Sequence, residues 1–272
     1  QNIEELMSTV APYIFQVRKH EVLKEIPPKT YQVRHVHMSE KQRALYKQIK
    51  SKKGYEWEGE KVVTKNVLEL SLRLHQVCGG FVATKDQEFK IDKETGDLVA
   101  KEFAVMNPVF DRNDDNPKIA ELRSVFEEAP GVPTAVWCKY TPEMDAVQEL
   151  ARSMGRKMAR IDGSVSSARR MEILREFEAG EWDSLVANQQ TGGTGLNMTM
   201  VTLSVYYSNT FSLIDRLQSE DRHHRIGQTN AVLYVDLVMS ESVDELVIES
   251  IEMKMNMSEF IRTKISDRSL HL

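Results

Sequence analysis

Two cysteines, Cys78 and Cys138, are all that this 272-residue chain carries, and they stand sixty positions apart. That spacing excludes a cysteine-based zinc finger, and so few thiols point to a reducing compartment rather than a disulfide framework. Missing too is any apolar run long enough to cross a membrane as a helix, or a leader with a basic head and an apolar centre. No Gly-Lys-Thr or Gly-Lys-Ser occurs anywhere, so these residues contain no Walker A phosphate loop. Nor does the chain start with methionine: it begins at Gln1 in mid-pattern, as an excised fragment would. Basic residues are also outnumbered, 36 Lys and Arg against 41 Asp and Glu, and the net charge of −5 speaks at first against nucleic acid.

What is present is a core-forming composition, 41% hydrophobic, sufficient for one large domain or two modest ones. The charge is unevenly spread. Residues 11–53 hold eleven Lys and Arg against three acids, whereas residues 86–128 hold six against twelve. The basic stretch from Lys41 to Lys53 reads equally as a solvated helical face or as a surface for phosphates.

Periodicity divides the chain. Pro12 to Lys24 reads as a strand or short helix, and Thr30 to His37 alternates like a strand. Ser39 caps a helix running to about Ser51. Val67, Leu70, Leu74 and Val77 fall at three- and four-residue steps, an amphipathic helix within Thr64–Val77. Gln87 to Val105 reads as a polar surface hairpin turning at Asp92–Gly96. From Asn116-Pro117-Lys118 onward helices and short apolar strands alternate. Helices are expected at Lys118–Glu128, Pro142–Met154, Ser166–Glu178 and Ser212–Arg225; strands are expected at Thr134–Trp137, Lys157–Ile161, Leu185–Ala187, Leu203–Tyr207 and Val232–Val238. Such alternation predicts a parallel sheet covered on both faces. Val243 to Ile265 again shows helical spacing, and the tail is expected to pack on the sheet or on another domain.

Two stretches carry the chemistry. Gln218 to Gln228 reads Q-S-E-D-R-H-H-R-I-G-Q. On a helix, Gln218, Arg222 and Arg225 form one stripe, and Gly227 suits the left-handed residue that closes it. Two arginines beside a chain break suit an anionic, planar group such as a phosphoryl; the plainer alternative is a solvated face with an Asp221–Arg225 ion pair. The neighbours His223 and His224 cannot both face one metal from a helix, so no zinc site is expected there. Upstream, the apolar Leu185-Val186-Ala187 runs into N-Q-Q-T-G-G-T-G-L-N-M-T at residues 188–199. A buried strand entering a glycine-rich loop is how α/β folds present backbone N–H groups to phosphate.

Together these stretches resemble motifs V and VI of the Swi/Snf-related branch of superfamily II helicase-like ATPases, the double-stranded DNA translocases. Val136 to Tyr140 stands where motif IV would be. Arg160-Ile161-Asp162-Gly163-Ser164, Arg169, Arg170 and Phe177 fit the family's next signature, and Ile26 to Lys29 resembles the segment leaving the first motor lobe. The resemblance implies a linker with a helical and hairpin insertion at 1–115, a second RecA-like lobe at 116–240 and a helical tail at 241–272. It implies Arg222 and Arg225 as arginine fingers with Gln218 assisting, Gly195 and Asn197 near the nucleotide, and Lys139, Ser164, Thr191 and Gly192 on DNA phosphates. ATP and Mg²⁺ would be held mainly by a first RecA-like lobe that this sequence does not contain. The expected partners are that lobe and double-stranded DNA, with no membrane, in the cytoplasm with the nucleoid or in the nucleus. One departure stands out: Ser208-Asn209-Thr210-Phe211-Ser212 replaces the acid and Trp-Asn-Pro that many relatives carry. A binding module without hydrolysis is the competing class, and a Walker lysine N-terminal to Gln1 would discriminate.

Overall fold

The computed structural model describes residues 3–13, 26–57, 59–91, 98–190, 197–255 and 257–266. Among these, six strands form one parallel sheet in the order β1-β10-β9-β6-β8-β7. The strands are β1 Lys29–Val36, β6 Thr134–Cys138, β7 Met158–Ile161, β8 Ser184–Asn188, β9 Leu203–Tyr206 and β10 Val232–Met239; between β1 and β6, β2 (Gly54–Trp57) and β3 (Glu60–Val63) form a separate antiparallel pair. Residues of β6, β8 and β9 are buried along almost their whole length, which is why they read as continuous apolar runs rather than as alternation.

The period of two sorts side chains to the two faces. Val136 and Cys138 point into one core, with α4 (Pro117–Glu128) and α5 (Thr141–Ser153) supplying Ile119, Leu122, Phe126, Met144, Val147 and Leu150. Ala135 and Trp137 point into the other, under Ile173, Leu174 and Phe177 of α6 (Ser167–Glu178). Trp137 is fully buried and donates its Nε1 to Ser204 Oγ at 3.0 Å. Its ring is therefore a core member whose polar edge is satisfied, not a base-stacking surface.

Start signals of the lobe are as the sequence predicts, with small shifts. Asn116 caps α4 through Lys118 N, and Ser166, expected as the first helical residue, is instead the cap of α6. For α5 the expected cap Thr141 is already helical; Tyr140 is the cap, and Glu143 reaches back to its backbone N–H. The helix α7 spans Leu213–His223, so it ends two residues before the expected Arg225.

The edge strand β1 comes from residues expected to form the linker. It pairs in parallel with β10 over its full length, from Lys29↔Val232 to Val36↔Met239. Helices α2 (Glu40–Lys52), α3 (Val67–Gly79), α8 (Val243–Glu252) and α9 (Met257–Ser266) then build a third core at the carboxyl end of β1 and β10. Leu45, Ile49, Leu74 and Val77 meet Val243, Val247, Phe260 and Ile261 there. The tail thus packs on the helices of the first hundred residues rather than on a sheet face.

The hairpin is longer than expected. β4 (Phe81–Ile91) and β5 (Leu98–Pro108) pair over eleven residues, and its expected turn, Asp92–Gly96, lies outside the described residues. Its root is no surface decoration: Phe81, Val82 and Ala83 are buried. The segment from Pro12 to Lys24 is described only at Pro12 and Tyr13, at the end of a short 3₁₀ turn that follows α1 (Ile3–Val10).

Candidate functional site

Parallel strands give the sheet two distinct edges, and the singled-out residues divide between them. At the amino edge lie the starts of β1, β9 and β10 and the last turn of α7, because a helix following β9 must run back antiparallel before β10 begins. Tyr234 Oη donates to Glu220 O at 3.1 Å near the start of β10, while Arg216, one turn earlier in α7, reaches Asp236 farther along it.

Arg222 sits in that last turn and is only 8% exposed. Its Nε is buried and has no hydrogen-bond partner among the described residues. Burial and then the charge of Arg225 lower its pKa, with Asp221 opposing. Arg225 is exposed and lies beyond the helix, so it is not on the stripe with Gln218 and Arg222. Gln218 is an exposed helical residue. Gly227 does adopt φ +99°, but in the turn after the helix rather than as its immediate cap.

The loop and helix are tied to each other. Met198 N donates to Arg222 O at 3.1 Å, which brings the exposed Asn197 to the neighbourhood of Arg222. Gln228 Nε2 donates to Thr199 O (2.9 Å), Val201 O (3.3 Å) and His223 O (3.2 Å). The closing carboxamide of the motif is thus a staple, a role its sequence position does not disclose. Thr191, Gly192 and Gly195 lie outside the described residues.

Between these groups and the core stands His223, fully buried between Trp137 and Tyr234, with neither ring nitrogen partnered among the described residues. Burial pushes its pKa down to about 3. No group of three or more His, Cys, Asp or Glu among the described residues is placed to hold a metal ion.

Beneath the last turn of α7 lies an ionic network that sequence reasoning missed. Arg216 is 2% exposed and grips Asp236 through both terminal nitrogens (2.5 and 3.0 Å), Glu220 through Nε (2.8 Å) and Asn209 Oδ1 (2.7 Å). Its guanidinium also stacks 3.5 Å over Tyr206. An arginine so fully satisfied holds α7 on the sheet and is not available to a ligand. The signal was an Arg–Glu pair four apart, a spacing shared with countless exposed helices.

At the carboxyl edge the strand ends hold Lys139, Ser164 and the start of the glycine loop. Asn188 Nδ2 donates to Lys139 O at 2.8 Å, and Lys139 N donates to Ser208 Oγ at 2.8 Å. The Lys139 side chain, expected on a DNA phosphate, is turned inward. Its Nζ is buried without a hydrogen-bond partner among the described residues, 3.0 Å over the Phe211 ring and 5.1 Å from Tyr140. Burial lowers its pKa to about 7 although Glu143 and Asp244 oppose. An amino group held under aromatic rings is covered from solvent in this conformation. Ser164 is exposed, but its N–H and hydroxyl both turn onto Asp162 Oδ1 (2.8 and 2.5 Å), closing an Asx turn.

The Ser208–Ser212 stretch replaces the family's usual residues with a dense set of bonds. Ser208 Oγ donates to Glu143, Asn209 Nδ2 donates to Asp236 at 2.7 Å, and Thr210 N donates to Gln189 Oε1 at 2.7 Å. Glu143 is fully buried, and burial pushes its carboxyl up to about 7. Nearby, Lys118 Nζ pairs with Asp244 Oδ2 at 2.6 Å and donates to Tyr207 O at 3.0 Å, joining α4 to α8.

Known proteins resemble the chain throughout. The helicase conserved C-terminal domain family matches residues 117–227, and the SNF2-related domain family matches residues 1–80. The transcription regulatory protein SNF2 of Saccharomyces cerevisiae is 26% identical over 91% of this chain. The ATP-dependent helicase fft1 of Schizosaccharomyces pombe is 22% identical over 97% of it. The chain spans only 14% and 31% of these relatives' lengths. In fold it is similar to the crystal structure of the C-terminal part of the Fun30 ATPase domain, with a TM-score of 0.59 and 16% identity, covering 82% of this chain and 89% of that one. With two domain matches that together span most of it and relatives of one kind along its length, this chain belongs to the Swi/Snf-type superfamily II helicase-like proteins.

Proposed function

We propose that the chain is the second-lobe part of an ATP-dependent DNA translocase, and that Arg222 and Arg225 are its contribution to ATP hydrolysis. The observation that carries this reading is the state of Arg222: a residue 8% exposed, its Nε buried and unpartnered among the described residues, with a second arginine close enough to depress its pKa. Two cations crowded together in that way favour an anion. The residues present therefore fit the polyphosphate of ATP, which supplies the bond that is cleaved. Arg222 and Arg225 would place positive charge against the transferred phosphoryl group, where an arginine finger is worth roughly 10³–10⁵ in rate. Gln218 and Asn197, both exposed, are proposed to orient the nucleotide, together with Gly195 of the glycine-rich loop. Grip on the phosphates and on Mg²⁺ would fall to a first lobe, as no Gly-Lys-Thr or Gly-Lys-Ser is present.

The DNA set is proposed in narrower form than the sequence implied. Ser164 lies at the carboxyl edge, where open parallel sheets bind ligands, and Thr191 and Gly192 are kept on the sequence resemblance alone, whereas Lys139 is left out of the set. Contacts of that kind follow the backbone and leave the motor largely sequence-blind. The test is Arg222→Ala in the longer protein that joins this chain to an ATP-binding lobe. Its kcat for ATP should fall by about a thousandfold, and Arg222→Lys should fall nearly as far because a point charge cannot reproduce the planar fork. A near-normal rate would refute the reading.

A further inference from the structure

The segment entering the sheet is fastened to the helix that carries Arg222 at two points, one on each side of that arginine. Glu220 is one anchor. Its Oε2 accepts Lys29 Nζ at 2.8 Å and Tyr31 Oη at 2.8 Å, while its Oε1 accepts Arg216 Nε at 2.8 Å. His224 is the other, its Nε2 lying 2.8 Å from Pro27 O. Residues 220 and 224 are one helical turn apart and bracket Arg222. Lys29 also lies 3.8 Å from Asp221 Oδ1 and 5.8 Å from the centre of the Tyr234 ring, on which Tyr31 stacks.

These contacts join residues of the two family matches, whose strands lie within one sheet. Pro27, Lys29 and Tyr31 belong to the SNF2-related match at 1–80; Glu220, Arg222 and His224 belong to the helicase C-terminal match at 117–227. Pro27 and Pro28 fix their own φ angles, so displacement of the chain ahead of them reaches Lys29 with little slack. Glu220 is 4% exposed on its side chain. If Lys29 moves away, a buried carboxylate is deprived of a charge-assisted partner and must be re-satisfied by a shift of α7 or remain destabilised.

We propose that Lys29 and Glu220 are positioning residues: a latch through which the chain arriving from the SNF2-related domain sets the last turn of α7, and with it the Arg222 guanidinium. The proposal rests on the arginine reading above. A latch makes the arginine's placement depend on how the preceding domain stands, so turnover is coupled to the arrangement of the two domains.

The experiment uses the longer protein with its ATP-binding lobe and compares Lys29→Met, Lys29→Arg and Arg222→Ala. Lys29→Met should lower kcat for ATP by about tenfold, within the range of a typical coupling between sites. KM for ATP and affinity for duplex DNA should stay near the parent's, and Lys29→Arg should recover most of the turnover. An inactive Arg222→Ala beside a fully active Lys29→Met overturns the latch and leaves the arginine reading intact. A fully active Arg222→Ala overturns that reading itself. Turnover that falls in step with the melting temperature and is not restored by Lys29→Arg reduces the Lys29–Glu220 pair to a structural role and overturns the latch.

Discussion

Lys139 shows how one residue can read correctly in sequence and act otherwise in the fold. A lysine just past a parallel strand is where such sheets offer donors to phosphates, and nothing local distinguishes it from one. What withdraws it is Phe211, from a loop far along the chain, whose ring covers the ammonium. Sequence cannot place that ring, because the packing is decided by tertiary contacts. The consequence is measurable. With its pKa lowered to about 7 from the usual 10.5, Lys139 has released its proton in the folded state across pH 7–10.5, while the unfolded chain still holds one. Stability should therefore rise with pH across that window, by up to about 1.4 kcal/mol per unit. Lys139→Met keeps the stem and removes the ammonium, so its thermal melts between pH 7 and 10 should be flatter than the parent's.

His223 runs by the same logic in the acid range. Its pKa is pushed from 6.5 to about 3 by burial, with Arg222 and Lys29 adding to the fall and Glu220 opposing. Between those values the unfolded state binds the extra proton, and stability is lost as pH falls from about 6.5 toward 3. His75, fully buried against Tyr140 and Phe211 with Lys139 and Lys118 nearby, is pushed down as well and adds to the loss. Glu143 works against both, since its raised carboxyl loses stability as pH climbs through about 7. His223→Phe should reduce the acid-side slope of the melting temperature without removing it.

At the scale of elements, strands and helices of the lobe were legible because their cues are local: short apolar runs, Asn116-Pro117, Ser166, Ser212. The end of α7 was not. Gly227 looks like the terminator, yet the helix stops at His223 because its final carbonyls are claimed by tertiary donors. Arg222 O takes Met198 N, Glu220 O takes Tyr234 Oη as well as His224 N, and His223 O takes Gln228 Nε2. Those donors come from the glycine loop and β10, which sequence spacing cannot bring into register. Gln228→Ala would leave three carbonyls short of a donor. It should cost about 1–3 kcal/mol in urea unfolding and reduce ATP turnover in the longer protein, because the loop after Asn197 would keep only the Met198 N–Arg222 O tie to α7.

β1 was recognised as a strand and assigned to a linker. Its alternation, with Tyr31 and Val33 exposed, is that of an edge strand, and an edge strand carries no mark of which sheet it joins. The register Lys29↔Val232 decides the matter, and it is this pairing that delivers Lys29 to Glu220.

The whole molecule separates two kinds of proposed chemistry onto opposite edges of one sheet, arginines at the amino edge and nucleic-acid contacts at the carboxyl edge. With the net charge at −5, DNA affinity has to come from a localised surface. A 740 Å³ groove lined by Asp111, Asp114, Asp145 and Glu149, between the hairpin root and α5, is unsuited to it. Following β1, α2 starts at the carboxyl edge and exposes Lys41, Arg43, Lys47, Lys50 and Lys52, while Leu45, Tyr46 and Ile49 face the core. The 272-residue chain alone should thus bind duplex DNA weakly, without sequence preference, and with affinity falling steeply as salt is added. Removing one lysine that neutralises a phosphate should lower the slope of log K against log salt by about 0.9. Lys47→Ala and Lys50→Ala are each expected to do so, whereas Lys139→Ala, whose ammonium is already covered, should leave the slope unchanged. A shallower slope in Lys139→Ala alone would mean that Phe211 gives way when DNA arrives and that the basic face of α2 is only solvated. The measurement is fluorescence anisotropy of one labelled duplex across a salt series with all four proteins. Since the surface at issue lies in this chain alone, its outcome does not depend on an ATP-binding lobe.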